Sequence, residues 1–248
     1  MRYLIGDIGN SEIKLCILNN KFKIIKRLKV ETAKINEQRF IEKKFFSFIK
    51  NGDLLKKALF SSVVPSAFKN IKEKLKKNFN IQCKELKQIK YTKMIKLNVN
   101  KKQIGSDRIA NAIGSYRKYK SNCIVLDFGT ATTFDVVMKN GTYNGGIIAP
   151  GVNLSIKSLS SSADQIPTFS IKKQKKVIGK NTIEALYSGF YWGYSGLINN
   201  IILKIEKETK KKYKIIFTGG YADLFKTSII RSFTIDKNIT IKGIIEIF

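Results

Sequence analysis

Apolar side chains dominate Tyr3-Leu4-Ile5-Gly6-Asp7-Ile8, and the run stops at the polar turn Gly9-Asn10-Ser11. A short run of this kind, rich in isoleucine and closed by Gly and Asn, predicts a β-strand ending in a turn. Ile13 to Leu18 then predicts the second strand of a hairpin, and Phe22 to Val30 a third. From Glu37 to Ile49 the apolar residues recur at helical spacing instead. Ala58 to Val64 predicts a buried strand, stopped by Pro65, and Ser66 to Phe79 an amphipathic, Lys-rich helix. Ile81 to Leu86 offers another strand, and Ser106 to Tyr119 a helix that opens with Asp107-Arg108.

The pattern then restarts. Cys123 to Phe128 is again a strand ending in Asp-x-Gly, followed by strands at Thr132 to Met138 and at Gly145 to Gly151. Thr182 to Glu208 is helical in pattern, broken or closely packed at Gly189, Gly193 and Gly196. Ile215 to Phe217 runs as a strand into Thr218-Gly219-Gly220; a short helix around Asp223 to Lys226 and a final strand near Ile241 to Ile247 complete the chain. Strand, Asp-x-Gly turn, two strands and helices thus occur twice, with no Pro- or Ser-rich linker between. The expectation is an α/β protein of two domains, 1–119 and 120–248.

The repeated turns are the first candidate chemistry. Asp7-Ile8-Gly9-Asn10-Ser11 and Asp127-Phe128-Gly129-Thr130 each put a carboxylate at a strand end, then a glycine that lets backbone amides approach a ligand. Asn10, Ser11 and Lys14 offer donors in the first; Thr130, Thr132 and Thr133 do so in the second. One such turn alone is an ordinary hairpin. Two in matching positions, facing each other across a cleft, would grip nucleotide phosphates, with Asp7 and Asp127 holding cations directly or through water.

Gly105-Ser106-Asp107-Arg108 opens a helix. An aspartate there is normally a capping or dipole residue, but beside a bound alcohol it is also a proton acceptor for phosphoryl transfer, with Arg108 a clamp for an anionic substrate. The Gly219-Gly220 pair permits close backbone approach to a flat ligand such as adenine. No Walker-type phosphate loop and no protein-kinase loop occurs.

Composition narrows the chemistry further. The 248 residues contain no histidine, which excludes Ser-His-Asp or Cys-His catalysis and His-based metal sites. Cys16, Cys83 and Cys123 lie far apart in apolar settings, as buried thiols in a reducing compartment would. Lys and Arg number 47 against 18 Asp and Glu, a formal charge of +29. The basic residues are spread over the whole length beside abundant Ile and Asn, so the excess reads as compositional bias on a solvated surface. Runs such as Lys210-Lys211-Lys212 and the Lys172 to Lys176 stretch are expected in exposed loops or helix ends. The field attracts anions such as ATP and favours only weak, salt-sensitive nucleic-acid binding. The first apolar run is too short for a signal peptide and no run of eighteen apolar residues occurs, so a soluble cytoplasmic protein without membrane contact is expected.

Together D-I-G-N-S, S-S-V-V-P, G-S-D-R-I-A-N-A, D-F-G-T-A-T-T-F-D, G-G-I-I-A-P-G, A-L-Y-S-G and T-G-G resemble, in that order and over nearly the whole chain, the type III pantothenate kinases. The resemblance implies two ribonuclease-H-like, actin-like ATPase domains with mixed sheets flanked by helices. It implies ATP-dependent phosphorylation of pantothenate, the first step of coenzyme A synthesis, by a homodimer that needs magnesium and a monovalent cation, potassium or ammonium. Carried over by position, Asp7 to Lys14, with Gly9, Asn10 and Ser11, resembles the first ATP phosphate loop, Asp7 lying near magnesium. Gly105, Ser106 and Arg108 resemble the pantothenate loop, with Asp107 as proton acceptor. Asp127 matches the monovalent-cation ligand, Thr130 an ATP contact and Thr182 a second pantothenate contact. Asn98 stands about where the family has a tyrosine followed by proline, a departure that bears on pantothenate rather than ATP. Two other readings stay open: a relative that acts as a regulatory or nucleic-acid-associated accessory factor, and a kinase of the same superfamily acting on a different alcohol.

Overall fold

Isoleucine-rich strands dictate the layering of this protein, for which a computed structural model describes residues 1–37, 41–49 and 55–248. Its helices are α1 (Pro65–Phe79), α2 (Ser106–Tyr119), α3 (Val152–Ser162), α4 (Thr182–Thr209) and α5 (Ile239–Ile247). The chain falls into two compact units, Met1–Lys118 with Asn238–Phe248, and Tyr119–Lys237.

The first unit holds β1 (Arg2–Ile8), β2 (Glu12–Leu18), β3 (Ile24–Glu31), β4 (Leu55–Ser62) and β5 (Gln82–Glu85), in the order β3-β2-β1-β4-β5. β1, β2 and β3 form an antiparallel meander; β4 is parallel to β1, and β5 to β4. The two-residue alternation turns Leu4, Ile8, Ile13, Leu15, Ala58 and Phe60 to one face, where they share a core with Ala67, Ile71 and Leu75 of α1. Pro65 opens α1, where its missing N–H costs no hydrogen bond, and Asn80 closes it in the left-handed conformation at φ 50°. A two-residue strand, β6 (Lys96–Leu97), precedes α2.

The opposite face of β1 and β4 is covered by α5. α5 crosses α2 so closely that a Cβ on Gly243 would lie 1.8 Å from the Ala110 carbonyl oxygen. Within that contact the buried Thr240 hydroxyl donates to Asn111 Oδ1 at 2.7 Å.

The second unit holds β7 (Cys123–Phe128), β8 (Ala131–Val137), β9 (Thr142–Pro150), β10 (Lys214–Gly219) and β11 (Phe233–Ile235). Its strands run β11-β10-β7-β8-β9. β7 and β8 are antiparallel, as are β8 and β9, whereas β10 lies parallel to both β7 and β11. Central strand, antiparallel pair and parallel pair therefore repeat the plan of the first unit. Ile124, Leu126, Phe134 and Val136 face a core shared with Val152 and Ile156 of α3 and Tyr191, Ile198 and Ile202 of α4.

Three expectations need correction. The final segment is helix α5, not a strand: a short apolar run rich in β-branched residues has no decisive period, and here Ile239, Ile241, Ile244 and Ile247 are all buried. Residues 223–226 form turns, not a helix. α4 is continuous through Gly189, Gly193 and Gly196, and nothing lies within 4 Å of a Cβ on any of them. α3, β6 and β11 were not foreseen. Of the Glu37 to Ile49 segment, residues 38–40 lie outside the described residues, and Ile41–Phe46 forms a π-helical turn. Where a single cut after residue 119 was expected, the chain divides after Lys118 and α5 groups with the first unit. Among the described residues no helix is long and apolar enough to cross a membrane.

Candidate functional site

Each central strand ends on a carboxylate. Asp7, half-buried, sits one residue before the end of β1, in register with Lys14 of β2 on one side and Ser61 of β4 on the other. Side chains paired in register share a face of the sheet, so these three form one row. Beyond them the Gly9 amide donates to the Glu12 carbonyl at 3.0 Å and the Val63 amide to the Ile8 carbonyl at 3.0 Å. Thr32 fastens the loop from below, its amide donating to the Ser11 carbonyl at 3.0 Å and its hydroxyl to the Gly9 carbonyl at 2.7 Å. Asn10 and Ser11 stay exposed at the tip.

α2 starts beside the same strand end. The fully buried Ser106 hydroxyl donates to the Ser62 carbonyl at 2.7 Å and accepts from the Ser62 amide at 3.0 Å. This pair of hydrogen bonds pins the helix to β4. Asp107 Oδ1 accepts from the Arg108 amide at 2.8 Å, at the positive end of the helix dipole. A Cβ on Gly105 would lie 2.3 Å from that same oxygen, so the glycine is what makes room for the carboxylate. The structure thus gathers Asp7, Gly9, Asn10, Ser11, Lys14, Gly105, Ser106, Asp107 and Arg108 around the ends of β1 and β4. Asn98 is exposed after β6 and separated from Gly105 by a turn in which the Ile104 amide donates to the Asn100 carbonyl at 3.3 Å.

In the second unit Asp127 stands one residue before the end of β7, in register with Thr133 of β8 and Thr218 of β10. The Gly129 amide donates to the Ala131 carbonyl at 3.1 Å, the Gly220 amide to the Phe128 carbonyl at 3.0 Å and the Gly151 amide to the Thr130 carbonyl at 3.1 Å. Gly219 has φ +86°, and a Cβ there would lie 2.5 Å from the Phe128 nitrogen and 2.7 Å from Asp127 Oδ1. A Cβ on Gly151 would lie 2.2 Å from the Thr130 carbonyl oxygen. Gly151 is also the N-cap of α3, so helix amides begin next to the exposed Thr130. Tyr221 donates to Asn153 of α3, closing a ring of three segments around this loop. Burial pushes the Tyr221 phenol above its ordinary pKa, which keeps the donor protonated.

Sequence pattern does not single out Ser61, Gly151 and Thr218 as site residues, although each lies in a motif named above, and Asn153 and Tyr221 lie outside those motifs. Strand register and the return of α3 to Thr130 are tertiary facts with no local signal. Thr182 falls apart from this cluster. It is exposed at the first turn of α4, where Asn181 caps the helix by accepting from the Glu184 amide at 2.9 Å. From there it is about 18 Å along the axis to Tyr194, whose hydroxyl donates to the Pro150 carbonyl at 3.3 Å.

Each loop offers a strand-end carboxylate with hydroxyls and amides beside it. That set suits phosphate oxygens and magnesium, which keeps several waters and takes one or two carboxylates plus substrate phosphates. Among the described residues no group of three or more Cys, Asp or Glu is placed to hold a metal by itself. The three thiols are buried, and burial raises all of them, Cys83 to about 12, so none is poised as a nucleophile.

A mixed sheet built twice, with a phosphate-type loop on each central strand, defines the actin-like, ribonuclease-H-like class that contains sugar kinases. A solved structure titled a "putative sugar kinase" from Cytophaga hutchinsonii has a TM-score of 0.53 at 16% identity, covering 99% of this chain and 99% of that chain. Another, a "conserved putative Baf family transcriptional activator" from Campylobacter jejuni, has a TM-score of 0.64 at 23% identity, covering 98% of this chain and 96% of that one. Identities this low speak for the fold alone. The sequence profile of the type III pantothenate kinase family matches residues 3–204. The type III pantothenate kinase of Pelagibacter ubique (strain HTCC1062) is 53% identical over 98% of this chain and 97% of its own. The chain belongs to the type III pantothenate kinase family.

Proposed function

We propose that this kinase uses ATP to phosphorylate the terminal hydroxyl of pantothenate, giving 4'-phosphopantothenate for coenzyme A synthesis, and that its two loops divide the work. Thr130, Thr133, Gly219 and Gly220 serve the nucleotide, with Gly9, Asn10, Ser11 and Lys14 as further phosphate contacts. Gly105, Ser106, Arg108, Asn98 and Thr182 serve pantothenate. Asp107 accepts the hydroxyl proton as the phosphoryl group leaves ATP, a step that depends on positioning and charge neutralisation more than on a strong base. Asp7 is the residue suited to magnesium and Asp127 to potassium or ammonium; such cations supply neutralisation of phosphate charge when bound.

The observation that carries this reading is the double hydrogen bond from Ser106 to Ser62, which holds the turn bearing Asp107 at the strand end where Asp7 stands. A homodimer fits the exposed face of α4. Gly189, Gly193 and Gly196 lie open there, Leu203 is 51% exposed and Ile230 near it 81% exposed. Helix-interior glycines each cost about 1 kcal/mol against alanine, so such a stripe is better explained by a second copy approaching it. The same reading places the enzyme in the cytoplasm, where its substrates are. The test is purified protein with ATP, magnesium and pantothenate, in potassium and in sodium alone. We expect 4'-phosphopantothenate with potassium or ammonium and little with sodium. No product in any buffer would overturn the reading, and equal rates in sodium would remove the role given to Asp127.

A further inference from the structure

Ser61 is fully buried in β4, and among the described residues its hydroxyl has no hydrogen-bond partner. A buried hydroxyl with nothing to bond costs about 1–3 kcal/mol, and alanine would fill the same space without that cost. The main-chain groups of the adjacent Ser62 are instead bonded to Ser106. Register puts Ser61 on the same sheet face as Asp7, directly beside it. The second unit repeats the arrangement: Thr218, also buried, stands beside Asp127 in the matching strand. A hydroxyl next to the strand-end carboxylate thus occurs in both halves, although the residues that follow differ completely, Ser62-Val63 in one and Gly219-Gly220 in the other.

We infer that Ser61 is a positioning residue for the divalent cation of this kinase, its hydroxyl and the Asp7 carboxylate together holding a water of the cation's shell. The inference rests on the assignment of Asp7 to magnesium made above. It accounts for a polar atom that no other described residue uses, and it needs only one bridging water in a polar site. Outer-shell partners of this kind typically govern metal affinity by about 10–100-fold.

The test counts free Mn2+ by electron paramagnetic resonance in the presence of ADP, so that no turnover is required, and follows unfolding by circular dichroism. Ser61→Ala should weaken Mn2+ binding about tenfold and raise the magnesium requirement of the reaction by the same factor, without lowering the unfolding midpoint. Ser61→Cys, which keeps the volume but donates weakly, should do the same. Ser61→Thr should remain within about twofold of the parent, because the matching position in the second unit already carries a threonine. Unchanged Mn2+ binding in Ser61→Ala and Ser61→Cys would overturn the proposal. Asp7→Asn separates the two claims: if it alone loses Mn2+, only Ser61 was misread, and if it too binds normally, the assignment of Asp7 falls and the Ser61 role with it.

Discussion

The two halves share one strand plan but close their loops by different means. In the first, side chains do it: the Thr32 hydroxyl holds the Gly9 carbonyl and Ser106 holds both main-chain groups of Ser62. In the second, the equivalent positions are Gly151 and Gly219, and backbone packs directly on backbone. The carboxylate rows differ in the same sense, Lys14 standing opposite Asp7 where Thr133 stands opposite Asp127. Side-chain locks fix a residue in place, which suits a proton acceptor; bare backbone leaves amides and space for a flat, charged ligand. With the roles proposed above, the duplicated frame pairs an acceptor side locked by side chains with a nucleotide side closed by backbone.

The sharpest way to break that contrast is to remove Asp107, the proposed acceptor on the side locked by side chains. Asp107→Ala should lower kcat by about 10²–10⁴-fold while nucleotide binding, measured by calorimetry, stays near that of the parent. The helix start remains pinned, because the bonds from Ser106 to Ser62 do not involve Asp107. Near-normal turnover would return Asp107 to a purely capping role.

Gly219→Ala should act on the open side with a smaller effect. At φ +86° a side chain is strained wherever it points, and here it would also press on Phe128 backbone and Asp127. The expected cost is about 1–3 kcal/mol of folding stability, read as a lowered denaturant midpoint, together with weakened nucleotide binding. Ser62, its counterpart in β4, bears a side chain without difficulty, its hydroxyl bonding within the Ser62–Val64 turn at 3.1 Å. An unaffected Gly219→Ala variant would mean that the bare backbone of the second loop has no ligand to admit and no strain to avoid.

Local pattern carried the strands other than β6 and β11, and the two Asp-x-Gly turns, because alternation and turn residues act within a few positions. α2 was visible for the same reason, from Ser106 through Tyr119. α5 was not, because Ile241 to Ile247 suits a strand as well as a helix, and only the crossing with Ala110 and Gly114 decides. The glycines of α4 look alike in sequence to Gly219, yet they mark open surface where Gly219 marks forbidden space. Of the site, the carboxylates and loop donors could be named from their motifs, whereas the rows that flank them depend on register and could not.

The smallest effect tests whether the halves differ in firmness as well as in chemistry. Cys83 lies in β5, a four-residue strand that among the described residues stands at the sheet edge beside β4, and is 7% exposed. Cys123 lies in β7, flanked by β8 and β10, with no exposure, and Cys16 in β2 lies between β1 and β3. Burial raises each thiol above its ordinary value of 9.0, Cys83 to about 12. A raised thiol favours the folded state below pH 9.0, and that contribution fades as pH rises from 9.0 towards about 12, because the unfolded chain gives up its proton first. At pH 8 the native thiols are therefore protonated as well as hidden, and alkylation waits for the strand to open. Mass spectrometry of partly labelled protein in mild denaturant should find Cys83 modified first, then Cys16, and Cys123 last, with catalysis unchanged before Cys123 reacts. If Cys123 were labelled before Cys83, the backbone-closed half would be the looser one, and its bare loop would reflect weak packing rather than a site kept open for nucleotide.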